Sequence, residues 1–321
     1  MIELTDTSSS AIAAEFVRAR RSAGSPAMGM IMTLVIITEG SNADEAMKVA
    51  QSASREHPAR ILGVVYGDRR GASQVDAQVG IGSGASGERA LIHLNGEVTR
   101  HPQSVVLPLL LPDSPVVVWW PGDAPPDPGA DPLGMLGTRR ITDAASVQRS
   151  QAKAMITQCA SYSPGNTDLA WTRITGWRAL LAAALDQHPG KVRSASVTAE
   201  RISPSADLLS AWLGDRLRCD VTRRNSDGPG ITAVVLETKK GDVTITRTDG
   251  RLATLAVPGQ PDRPVALKRR DLDELLSEEL RRLDPDDVYA ATARQLATTG
   301  SRAAPRKTKP RKFAAKKKAQ Q

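Results

Sequence analysis

Five apolar residues in succession, Val116 to Trp120, set the strongest constraint on the fold. Pro115 precedes the run and Pro121-Gly122 closes it, so its length suits a strand rather than a helix. Successive strand side chains point to opposite faces of a sheet. Trp119 and Trp120 therefore enter one sheet's interior together only if both of its faces are covered. Otherwise one is core and the other is presented to a partner, a common use of exposed tryptophan. The run ends a longer apolar stretch, Val105–Trp120, which Pro112-Asp113-Ser114-Pro115 interrupts. A second apolar stretch, Met28–Ile37, has about half of the ~20 residues that a spanning helix needs. Neither is expected to cross a membrane. The opening MIELTDTSSS carries acids where a secretory leader would be basic, so the expected location is cytoplasmic.

Helical and strand patterns alternate around this segment. Helices are expected at Ser10–Arg20, at Asn42–Arg55 with Ser41 as N-cap, and at Gln103–Leu110 despite Pro108. Strands are expected at Met32–Thr38 and Ile61–Tyr66, with Gln74–Ile81 and Arg89–Asn95 joined as a hairpin by Gly82–Gly87. Pro121–Pro132 reads as an irregular connection. Further on, Asp168–Asp186 reads as one long helix, Val192–Thr198 as a strand and Ser205–Leu217 as a helix. Strands follow at Cys219–Arg223, Ile231–Thr238, Asp242–Thr248 and Leu252–Val257, the last two joined by a Thr248-Asp249-Gly250 turn. Asp271 and Glu274 have capping-box spacing, and Asp284-Pro285-Asp286-Asp287 opens a final helix. The expected class is mixed α/β (α+β). It comprises two layered α/β domains with mixed sheets, residues 1–150 and 151–300.

The 43 Lys and Arg exceed the 35 Asp and Glu, for a formal charge of +8. Nine of those bases lie in residues 301–321, which hold no acid, so the preceding body is nearly neutral. The Lys/Arg-rich tail is expected to be disordered, with weak non-specific polyanion contact. A nucleic-acid module acting through it is one rival reading, although the tail lacks interleaved aromatics for base stacking. Two cysteines, Cys159 and Cys219, are too few for a disulfide framework.

Familiar catalytic patterns are absent from the sequence. The four histidines show no HExxH spacing, and no GxSxG elbow or GKS/GKT phosphate loop occurs. Gly82–Gly87 matches GxGxxG, but the fingerprint needs a helix after it, and Ala90–Leu94 reads as strand. No cofactor and no metal are expected. Arg69 and Arg70 lie on a loop where paired guanidiniums suit a carboxylate or phosphate, although a solvated turn with surface ion pairs is the favoured reading. A sugar-phosphate-binding protein or enzyme using such loops is the second rival. Arg139-Arg140-Ile141-Thr142-Asp143 reads as an internal clamp between the domains.

In order, HPAR (His57–Arg60), GDRRG (Gly67–Gly71), DAQ (Asp76–Gln78), LPLLLPDSPVVVWWPG (Leu107–Gly122), RRITDA (Arg139–Ala144) and DLAWTRITGWRALLAAALD (Asp168–Asp186) form a set. This set resembles the OpcA family of glucose-6-phosphate dehydrogenase assembly proteins. The resemblance implies a non-catalytic partner of glucose-6-phosphate dehydrogenase. Such a protein favours the enzyme's active oligomer, activates it allosterically, and thereby supports NADPH supply through the oxidative pentose phosphate pathway. On that reading Trp119 and Trp120 are the expected partner-binding anchor, with Arg69, Arg70, Arg139, Arg140 and Arg173 as orienting charges.

Overall fold

The computed structural model describes residues 1–22, 29–81, 87–247 and 249–303. Strand β1 (Ile2–Leu4) and helix α1 (Ser9–Ser22) lead into a βαβ unit of β2 (Met32–Glu39), α2 (Ala43–Ala53) and β3 (Ala59–Tyr66). The antiparallel pair β4 (Gln74–Ile81) and β5 (Glu88–Asn95) follows, then a short α3 (Pro102–Val106). Next come β6 (Val116–Trp119), β7 (Arg139–Thr142), α4 (Gln151–Ala160) and β8 (Asn166–Asp168). All eight strands share one sheet in the order β1-β4-β5-β3-β2-β6-β7-β8. Neighbours from β5 to β8 are parallel, and β4 and β1 extend one edge antiparallel. Counted in chain order, the six parallel strands lie 3-2-1-4-5-6, the order of doubly wound dinucleotide-binding sheets.

This sheet is covered on both faces, as its unbroken apolar strands require. Met32, Leu34, Ile36, Val117 and Trp119 pack on one side with Ala46, Met47 and Ala50 of α2. Val35, Val116, Val118 and Trp120 pack on the other with Ile12 and Phe16 of α1 and with Leu133. Trp119 is 0% exposed and Trp120 2%. The expectation of a tryptophan presented to a partner is therefore corrected: both rings are core, one on each side.

The rest of the chain builds α5 (Leu169–Thr172), α6 (Thr175–Gln187), β9 (Val192–Ala199), α7 (Pro204–Leu217), β10 (Asp220–Asn225) and β11 (Ile231–Thr238). It continues with β12 (Val243–Thr246), β13 (Leu252–Ala256), β14 (Arg263–Ala266), α8 (Leu272–Arg281) and α9 (Asp287–Ala303). A six-stranded sheet runs β10-β9-β11-β12-β13-β14, antiparallel except for β9 and β10, which α7 connects. Its Val197, Val234 and Ile245 share a core with Leu209 of α7, Trp177 of α6 and Tyr289 of α9. Helix α8 instead returns to the first sheet, placing Leu275, Leu276 and Leu280 in the core shared with α2.

Several local expectations shift for identifiable reasons. Ser41 lies inside a 3-10 turn, Gly40–Asn42, and does not cap α2. Pro108 converts the end of the Gln103–Leu110 helix into a 3-10 turn, Leu107–Leu109. The helix expected from Asp168 breaks at Ile174, with Asp168 capping α5 through Ala170 N–H. The cap of α9 is Asp286 rather than Asp284, its Oδ1 accepting from Val288 and Tyr289 N–H at 2.9 Å each. Both halves of the Asp271–Glu274 capping box are formed. Strand β14 was not anticipated, because Arg263-Pro264-Val265-Ala266 is a short edge strand with little apolar signal. The first sheet draws its last strand, β8, from beyond the boundary expected at residue 150, since β7–α4–β8 is one parallel crossover. Gly82–Ser86, Thr248 and the tail beyond Ala303 lie outside the described residues.

Candidate functional site

The order of the first sheet reverses between β2 and β6, whose following chains leave in opposite directions. Such a switch point opens a crevice at the carboxyl ends of the strands, where doubly wound proteins place their ligands. Here the crevice has a volume of about 520 Å3. Its walls include Thr38 and Glu39 at the end of β2, Tyr66 and Arg69 after β3, and Trp119 and Trp120 at the end of β6. Three of the seven sequence-derived site residues, Arg69, Trp119 and Trp120, are thus brought together. The Trp119 indole Nε1 is buried there and has no hydrogen-bond partner among the described residues, an uncommon state for a buried donor.

The crevice is acidic. Glu39, Glu45, Asp123 and Asp131 line it against Arg69. Burial, reinforced by Asp131, raises the Tyr66 phenol above its ordinary pKa and keeps it a proton donor. A dinucleotide would set its pyrophosphate on the N-terminus of the helix after the first parallel strand, against closely spaced glycines. That turn reads Glu39-Gly40-Ser41-Asn42-Ala43-Asp44-Glu45, with one glycine and three carboxylates. The chain's own acids occupy the favourable end of the helix dipole and would repel two phosphates. These residues do not fit a dinucleotide. Glu39, Asp44 and Glu45 were missed by sequence reasoning, since only the strand order reveals that this turn is the place to look.

The other site residues lie elsewhere. Arg70 is exposed on the turn after β3, its backbone N–H bonded to Asp68. The Arg69 and Arg70 side chains make no hydrogen bond or ion pair among the described residues. Arg139, 1% exposed, ion-pairs with Glu279 of α8 and donates to the Asp284 carbonyl at 2.9 Å. It is the internal clamp that its position suggested, joining β7 to the segment between α8 and α9. Arg140 donates to Asn166 Oδ1 and to the Gly137 carbonyl, tying β7 to β8. Arg173 grips Asp143 with two bonds, at 2.6 and 2.8 Å. All three of these guanidiniums make hydrogen bonds or ion pairs within the chain, in contrast to Arg69 and Arg70.

Asp143 belongs to a second feature that the sequence did not disclose. Asp168 is fully buried beside it, accepting from Thr142 Oγ1 at 2.6 Å, Ala170 N–H at 2.8 Å and Ala144 N–H at 3.0 Å. Burial, then the Asp143 charge, pushes its pKa up to about 6. A carboxyl whose folded pKa exceeds its unfolded value binds more protons when folded, so its contribution is greatest below pH 4 and fades as pH rises through 6. Stability is expected to fall across that window through this group. Urea unfolding of the wild type and of Asp168→Asn between pH 4 and 7 tests this. Parallel pH profiles would assign the effect elsewhere.

No helix among the described residues is long and apolar enough to cross a membrane, and no cluster of His, Cys, Asp or Glu there suits a metal ion. Two family models match the chain: the glucose-6-phosphate dehydrogenase subunit N-terminal domain over residues 50–160, and the corresponding C-terminal domain over residues 164–293. The chain belongs to the OpcA family of glucose-6-phosphate dehydrogenase assembly proteins. The N-terminal OpcA domain contains the crevice loops at Arg69 and Trp119, and the C-terminal one contains Asp168, Arg173 and the start of α9. No curated protein matches the chain. Among solved structures, it is similar to an oxidoreductase from Sinorhizobium meliloti at 10% identity and a TM-score of 0.45, covering 84% of this chain and 96% of that one. A 3-ketoreductase from Actinomadura kijaniata has the same identity and coverage at a TM-score of 0.44. Likeness at that level says nothing of what an OpcA-family chain does.

Proposed function

We propose that this protein is a non-catalytic assembly factor that binds glucose-6-phosphate dehydrogenase, favours its active oligomer and raises its activity allosterically. It would act in the cytoplasm and support NADPH supply through the oxidative pentose phosphate pathway. The observation that supports this reading is the pairing of two OpcA domains over residues 50–293 with a switch-point crevice lined by Glu39 and Glu45, which with Asp44 in the first turn of α2 disfavour the usual dinucleotide. The fold's customary catalytic position is thereby put out of use, which suits a subunit that acts by binding. Activation then follows from differential affinity: the chain binds the working conformation of the enzyme more tightly and shifts the population toward it. A preference of ~1–3 kcal/mol changes that equilibrium about 5–150-fold. A thiol switch gains no support, because burial raises the pKa of both Cys159 and Cys219 and leaves poor thiolates.

The test is co-purification with the cognate dehydrogenase, then its quaternary state and turnover with and without this chain. A larger oligomer with higher turnover is expected; unchanged kinetics and size, or conversion of any metabolite by the chain alone, defeats the reading. Arg69 and Arg70 are the site charges left free for a partner. Replacing both by glutamate should weaken binding to the dehydrogenase by at least about tenfold, chiefly through slower association. The melting temperature should stay within a few degrees, and undiminished affinity would remove both arginines from the contact.

A further inference from the structure

A cavity of about 400 Å3 lies away from the crevice, between α6 and α8, and is lined by seven charged side chains. The three acids among them are already engaged. Glu279 pairs with Arg139 and accepts from Thr172 Oγ1 at 2.6 Å. Glu278 pairs with Arg270 and accepts from Thr175 Oγ1 at 2.8 Å. Asp286 accepts from Trp171 Nε1 at 2.9 Å and caps α9.

Arg178 is different. Its guanidinium carbon lies over the Trp171 ring, 3.6 Å from the centroid, and its one hydrogen bond among the described residues is a long one to Thr175 Oγ1 at 3.3 Å. It has no ion pair there, and its Nε is buried without a partner. The Nε of Arg139, itself 1% exposed and lining the same cavity, is likewise buried and unpartnered. Burial draws the Arg178 pKa down to about 10, even though the nearby charges of Asp286, Glu278 and Glu279 act to raise it. Contact with the indole face holds the guanidinium while one of its terminal nitrogens donates only to Thr175, leaving other N–H groups of the fork with which arginine takes both oxygens of an anion at once.

We propose that this cavity binds the oxyanion group of a small metabolite, a carboxylate or a phosphate, with Arg178 as its principal donor. The site is independent of the crevice and of any contact with a dehydrogenase. Because its walls come from β7, α5, α6 and α8, an occupant would brace the first sheet against the helices that lead into the second.

Trp171 supplies the signal. The full-length protein is titrated at constant ionic strength with inorganic phosphate, with acetate and with chloride, following tryptophan fluorescence and the melting temperature. Saturation by phosphate or acetate at concentrations where chloride does nothing is expected, and which of the two saturates first names the oxyanion. Arg178→Met, which keeps the stem and removes the charge, should weaken that response at least about tenfold. Arg178→Lys keeps the charge without the fork; it should also bind less tightly, and it decides the matter if the methionine variant does not fold. Responses to phosphate and acetate no different from chloride, or wild-type affinity in a folded variant, would overturn the proposal.

Discussion

Replacing Arg139 by methionine is expected to lower the free energy of unfolding by about 3–5 kcal/mol, the usual cost of removing one member of a buried ion pair. Methionine fills much of the same space, so lost packing is a minor part of that figure. The larger part is what is left behind: Glu279, 6% exposed, keeps its charge with Thr172 Oγ1 as its remaining donor. The Asp284 carbonyl also loses its partner at the approach to α9. Urea denaturation at neutral pH measures the loss. Combining Arg139→Met with Glu279→Met is expected to recover most of it, because both members are then apolar and no charge is stranded. A loss below about 1 kcal/mol in the single variant would mean that water reaches Glu279, and the clamp would then contribute little to holding α8 on the first sheet.

That clamp shows how far the sequence could be read. The run Arg139-Arg140-Ile141-Thr142-Asp143 suggests an internal contact between the domains from its place after the proline-rich connection. Its partner was not legible. Glu279 sits 140 residues away on a helix whose own signals, the Asp271–Glu274 box and the leucine stripe, report only local structure. The same limit explains the crevice. Period and caps located α2 and the strands around it, yet strand order depends on pairings between segments far apart in the chain. Without that order, Glu39-Gly40-Ser41 is an ordinary loop. Local chemistry also misled where a tertiary role competed with it: Asp168 was read as the start of one long helix, whereas its second carboxylate oxygen binds Thr142 and Ala144 across the end of β7.

Trp119→Ala is expected to cost about 3–5 kcal/mol, as for other aromatic truncations in a packed core. Trp119 is wholly buried among Leu34, Ile36, Met47 and Leu276, so the loss would be large if the surroundings held their places. The crevice alters the balance. Its wall passes beside Trp119, and water entering from that side would spare part of the cavity cost and bring the value toward the lower end. Trp119→Phe isolates the orphaned donor. It keeps most of the ring contacts and removes an indole N–H that has no acceptor, whose burial alone is disfavoured by about 1–3 kcal/mol. Its net cost should therefore be less than half that of the alanine change. Equal losses in the two variants would show that Nε1 finds an acceptor in solution. The comparison also decides how dehydrogenase binding can be tested, since alanine at Trp119 or Trp120 alters folding before it alters a surface. A weaker complex with either alanine variant would be read first as fewer folded molecules, and a stable Trp119→Phe supplies the control that keeps the core filled.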